Sequence, residues 1–185
     1  ASQAREKKQI AIEKYLERLD RALAQAQDVT DALLAHARSA DAWTQTQSDG
    51  IATGCRHLDD ARQAVTGLTG ESAGTPYALI GLQFADIDIA HVTPARQRLI
   101  DADVVDRSER PAVLDQAAFH IARARELLAD LTREYEAVKK EQERLDEIER
   151  LAKMHQLFVE DMQMLLGACK PTLNPRDGRW RLVPD

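Results

Sequence analysis

From Ser108 to Leu166 an apolar or small side chain returns at every seventh position: Ala117, Ala124, Leu131, Val138, Leu145, Ala152, Val159 and Leu166. A second track, Leu114, Ile121, Leu128, Tyr135 and Gln142, runs beside it at spacings of three and four, the seam of a coiled coil. After Leu145 this second track changes sides and continues through Ile148, His155 and Met162. The change is equivalent to a three-residue insertion in the heptad frame and predicts local overwinding near Gln142 to Ile148. One long helix is expected, capped by Ser108 and ended by Gly167 at C′, with Pro171 close behind.

The same periodicity organises the start of the chain. Ile12, Leu16, Leu19, Leu23, Ala26, Thr30, Leu33, Ala37, Ala40 and Thr44 follow spacings of three and four and predict a first helix over 3–47, broken by Ser48, Asp49 and Gly50. A shorter second helix over 51–68 carries Ile51, Cys55, Leu58, Ala61, Val65 and Leu68, and a loop is expected from Gly67 to Gly74. Thr75-Pro76 has the form of an N-cap and first helical residue, and Thr93-Pro94 repeats it. A third helix is therefore predicted from Pro76 to about Ala102, kinked or broken at Pro94.

Short loops between four helices favour an all-α, up-down-up-down bundle, elongated, with long antiparallel coiled-coil first and last helices. The width of the apolar stripe sets its organisation. Around residues 117–131 the stripe is wide enough to face several partners, whereas between Lys139 and Arg150 only Leu145 and Ile148 interrupt charged residues and Gln142. The bundle is thus expected over 1–169, with a four-helix head, a two-helix neck near 139–150 and an apolar base near both termini. Residues 170–185, with three prolines and an Asp177-Gly178 turn, read as an extended tail or linker.

Composition narrows the function classes. Charged residues make up 30% of the chain and aromatics 4%, the profile of long solvated helices. The net charge of −6, spread in alternating sign, gives no footprint for nucleic acid. No apolar run reaches the length of a transmembrane helix. Cys55 and Cys169 do not make a disulfide framework, and on this topology they lie too far apart to bond.

The chemical candidates are few. Asp86, Asp88 and His91 form the nearest approach to a ligand cluster, but only Asp88 and His91 can share a helical face, and a divalent metal needs three or four converging ligands. Cys55 and His57 diverge on a helix, and Cys55 reads as a small core residue. His155, between Ile148 and Met162, reads as a buried polar seam residue, whereas His36 and His120 read as solvated. No phosphate loop, nucleophile elbow or zinc spacing occurs. No catalytic, cofactor-binding or metal-binding residue is assigned, and an enzyme is not expected.

The expected function is a non-catalytic helical scaffold, spacer or protein-interaction module, part of a larger protein or assembly. The alternative is a ligand-binding or sensor bundle that transmits a signal along its coiled coil. From Leu151 onward the apolar stripe is wider than one helix covers, even with Ile10, Ile12, Tyr15 and Leu16 of the first helix against it. Met154, Leu157, Phe158, Met162 and Met164, with Trp180 and Leu182 of the tail, are the expected interaction surface, for a protein partner or for self-association through the base or tail.

Overall fold

The structure, a computed structural model, describes residues 2–176 and 178–184, with the side chains of Ser2, Lys170, Pro171 and Leu182 outside the described set. It is an all-α helical bundle with one small hairpin. Its elements are α1 (Ser2–Arg38), α2 (Gln45–Ser72), α3 (Ala78–Ile87), a π-turn (Asp88–Val92), α4 (Thr93–Val104), α5 (Arg110–Ala168), β1 (Cys169–Leu173) and β2 (Trp180–Pro184). The chain divides into two units, Ala1–Val138 and Lys139–Asp185, and the division falls inside α5.

Helices α1 and α2 meet earlier in the chain than the apolar pattern indicates. The break lies at Ser39–Thr44, and Ser48, Asp49 and Gly50 are interior to α2. Two local interactions fix it. The Ser39 hydroxyl donates to the His36 carbonyl (2.7 Å) and closes α1. Thr44 and Gln47 then form a capping box, with the Thr44 amide donating to Gln47 Oε1 at 2.9 Å. Gly50 belongs inside the helix because Leu33 of α1 lies against it, 3.0 Å from where a β-carbon would stand. At its other end α2 continues to Ser72, through the expected loop, and the Thr75 hydroxyl caps the following turn by accepting from the Tyr77 amide (3.1 Å).

Pro94 has the disruptive effect its chemistry demands, resolved without a break. Proline offers no N–H to the preceding turn, and the Thr93 amide bonds back to the Asp88 carbonyl, the five-residue reach of a π-turn. The helix thus absorbs one extra residue between α3 and α4. The long helix starts at Arg110, two residues after the expected Ser108 cap, and runs through Gly167 to Ala168 without a left-handed C′ residue.

The first unit holds the core. Hydrogen bonds from Tyr135 to Glu13, Arg125 to Gln27 and Arg38 to Asp115 set α1 antiparallel to the first half of α5. Arg18 reaches Gln63, and Gly50 and Gly54 meet Leu33 and Val29, so α1 and α2 are antiparallel too. Small residues on both helices (Ala22, Ala26, Ala61 and Ala64) let them approach closely, and Leu19, Leu23, Leu58, Leu99, Leu114 and Ile121 fill the interior. Thr30, fully buried, satisfies its hydroxyl on the Ala26 carbonyl at 2.7 Å. Ile12 and Leu16, assigned from sequence to the apolar base, belong to this core.

In the second unit the tail, read as an extended arm, is paired with itself. Strands β1 and β2 are antiparallel, with Leu173 opposite Trp180 and Cys169 opposite Pro184. Gly178 takes φ +64°, a backbone conformation a side chain disfavours, and closes the turn with Asn174.

Candidate functional site

The buried stripe of α5 runs Leu114, Ala117, Ile121, Ala124, Leu128, Leu131 and Tyr135, and the side chains from Lys140 on, apart from the partly buried Gln142, are exposed to the end of the helix. Between 139 and 150 the surface is charged. Pairs such as Arg144–Glu141 (3.5 Å), Arg150–Glu147 (2.6 Å) and Lys153–Glu149 (3.0 Å) lie one turn apart and support the helix locally. From Leu151 onward the polar cover thins. Met154, Leu157, Phe158, Met162 and Met164 are all exposed, Phe158 at 62%, and Leu151, Val159, Leu165 and Leu166 with them. These side chains follow the helical period, so they form a continuous band along α5.

The hairpin does not remove its own apolar side chains from water. Trp180 is 70% exposed, and Leu173 and Val183 are exposed as well. Leu173 and Trp180, directly opposite in register, share one face of the hairpin. The Leu182 side chain lies outside the described residues. Every described residue of the surface expected from the sequence stands in water. His155, expected in a buried seam, is exposed together with Ile148 and Met162. A seam residue is buried only where a second helix lies on it, and α5 carries none there within its own unit.

Asp88 and His91, ligand candidates in the first unit, are engaged with their neighbours, whereas Gln83 Oε1 is buried without a hydrogen-bond partner among the described residues. Asp88, one of the three residues of the expected ligand cluster, takes an ion pair from Arg62 (3.4 Å) and a hydrogen bond from Thr93 (3.0 Å), and Asp86 is exposed. His91 turns instead to His120 of α5, Nδ1 to Nδ1 at 3.1 Å, so His120 is half-buried rather than solvated. Both imidazoles are held below their ordinary pKa. Desolvation is the first cause for each, joined at His91 by His120 and Arg123 and at His120 by Arg98. The contact is invisible in sequence because residues 29 apart are joined only by the fold.

A trough of about 430 Å³ between α2 and α4 is lined by Cys55, Asp59, Arg96 and Asp103 among others. Its charged groups each have a hydrogen-bond partner within the fold, Arg56 through the Thr53 hydroxyl (3.1 Å). Arg96 donates to Asp59 at 2.8 Å, and Asp103 accepts from the Trp43 indole (3.0 Å) and the Ser48 hydroxyl (2.7 Å), bonds that hold its carboxyl below the usual range. Cys55 is buried, as its place on the apolar stripe predicts, and burial raises its thiol pKa against the opposing pull of Arg96. Cys55 and Cys169 are both free thiols. Among the described residues no three His, Cys, Asp or Glu side chains gather as a metal site, and no helix is long and apolar enough to cross a membrane.

The fold and this surface define an all-α helical bundle whose last helix carries an uncovered apolar band. The chain matches no family model, no curated protein and no solved structure.

Proposed function

We propose that the protein is a non-catalytic helical interaction module. The first unit is the folded anchor, and the second half of α5 is the face offered to a partner. The occupant it suits is an amphipathic helix, because the exposed band keeps the three-four spacing that accepts knobs from a facing helix. One observation carries this reading: Leu151, Met154, Leu157, Phe158, Met162 and Leu165 are exposed over four turns of a single helix. A contiguous apolar band of this extent is uncommon on a surface that has no partner.

The packed core of the first unit and the mutual pairing of its charges support a scaffold over a ligand-binding head, since a ligand pocket needs convergent polar groups left for the ligand.

A solvatochromic dye tests the reading at high dilution. It should bind the intact chain and also a chain ended after Lys170. The double substitution Leu157→Glu with Phe158→Glu should abolish binding while near-UV circular dichroism of the first unit is unchanged. An intact, dilute chain that binds no dye has its band covered by its own residues, and the reading then fails.

A further inference from the structure

We infer that the occupant of the α5 band is a second copy of this chain, paired antiparallel over roughly residues 146–168. The inference rests on the interaction-module reading above. What it adds is the identity and orientation of the partner, and both come from where the residues sit around the helix.

With Leu145, Ala152, Val159 and Leu166 in one seam track and Ile148, His155 and Met162 in the other, two columns flank the seam. On one flank stand Leu151, Phe158 and Leu165; on the other stand Glu149, Gln156 and Gln163. All six are exposed. A flank this apolar beside one this polar discriminates between the two ways of pairing identical helices.

In a parallel pair each flank of one helix faces the opposite flank of its partner. Leu151 and Phe158 would then meet Gln156 and Gln163, twice over, and apolar area would be buried against amides. Ala152 would face its own copy and leave a hole, and His155 would face His155. In an antiparallel pair like flanks meet. Phe158 lies beside Phe158 of the second copy at the two-fold axis, with Leu151 beside Leu165, and the amides of Gln156 meet on the wet side.

The seam layers agree in size. About a centre near residue 157, small Ala152 receives long Met162, Leu166 receives Ile148, and Val159 receives His155, so no histidine faces a histidine. The contact is isologous and closes at two chains. An overlap of this length buries on the order of 800 Å² per partner, the size of a standard stable interface.

The test uses the full chain with Cys169→Ser and a nitroxide at one added cysteine, either Gln156→Cys or Glu149→Cys. Sedimentation should show a concentration-dependent dimer, and Phe158→Glu should weaken it by at least tenfold. Dipolar spectroscopy should give a short separation between the two chains for the label at 156. The label at 149 should sit farther from its copy by an axial offset of about 20 Å, at ~1.5 Å per residue. Short separations from both labels mean a parallel pair and overturn the inference. A chain that stays monomeric up to millimolar concentration, yet binds the dye, overturns the second copy as occupant and leaves the docking face standing. A monomer that binds no dye removes both.

Discussion

The phenol of Tyr135 donates a hydrogen bond to the Glu13 carboxylate at 3.2 Å, while its ring lies 4.7 Å from that of Tyr77. Tyr135 is 1% exposed and is the last buried side chain of α5, so this contact marks where the core of the first unit ends. Tyr135→Phe should cost about 0.5–1.5 kcal/mol in reversible urea unfolding, since it removes the hydrogen bond and keeps the ring. Tyr135→Ala should cost about 3–5 kcal/mol. Burial, followed by Glu13 and Tyr77, holds the phenol well above the usual tyrosine range. The sign is that of a raised pKa: its contribution is complete below the unfolded value of ~10 and is lost as pH rises beyond it. Tyr135→Phe should therefore flatten the alkaline limb of the stability curve.

Leu131 and Leu145 occupy one heptad track and differ in surroundings, at 7% and 49% exposed. Leu131→Ala should cost about 2–5 kcal/mol through transfer and cavity terms. Leu145→Ala should cost less than about 1 kcal/mol, because little apolar area returns to water. Equal losses in chemical denaturation would contradict the end of the core at Tyr135.

The His91–His120 contact sets an acid limit. Both pKa values are lowered in the fold, so their stabilisation is complete above the ordinary histidine value of ~6.5 and is lost as pH falls through the folded values. Arg98 and Arg123 add to the penalty for charging the pair, and Asp88 is already occupied by Arg62. Stability measured from pH 7.5 down to 5 should fall, and His120→Gln should make the fall shallower. Nuclear magnetic resonance titration should place both imidazoles below free histidine. A value at or above that of free histidine for either ring would remove the mechanism.

Two glycines of α2 should respond with opposite signs. A β-carbon on Gly54 would stand 2.9 Å from Leu99 Cδ1, a fully buried side chain, and 3.5 Å from Val29 Cγ1. Overpacking of about 1–3 kcal/mol should outweigh the helix-propensity gain of up to ~1 kcal/mol, so Gly54→Ala destabilises. Gly70 has nothing within 4 Å of the same position, and Gly70→Ala should stabilise by up to ~1 kcal/mol. Thermal melts of the two variants give the comparison directly.

The helical class and the apolar seams were legible in the sequence, because each follows from a period that repeats over many turns. Heptad spacing alone put Leu114, Ile121 and Leu128 on one face. Single boundaries were not legible in the same way. Glycine and aspartate usually end helices, so the sequence pattern puts the α1–α2 break at Ser48–Gly50. The fold instead uses Gly50 as the close-approach point for Leu33 and starts α2 at the Thr44–Gln47 capping box, a signal present in the sequence but weaker than the glycine. Pro94 announced a disturbance, and only the path of the chain decided that a π-turn would absorb it. The burial of a seam residue was a tertiary matter altogether. Tyr135 and His155 both sit in the seam, yet one is in the core and the other in water, because periodicity states which face is apolar and only a packed neighbour removes it from solvent. The His91–His120 contact belongs to the same category, since it joins residues that no local rule relates.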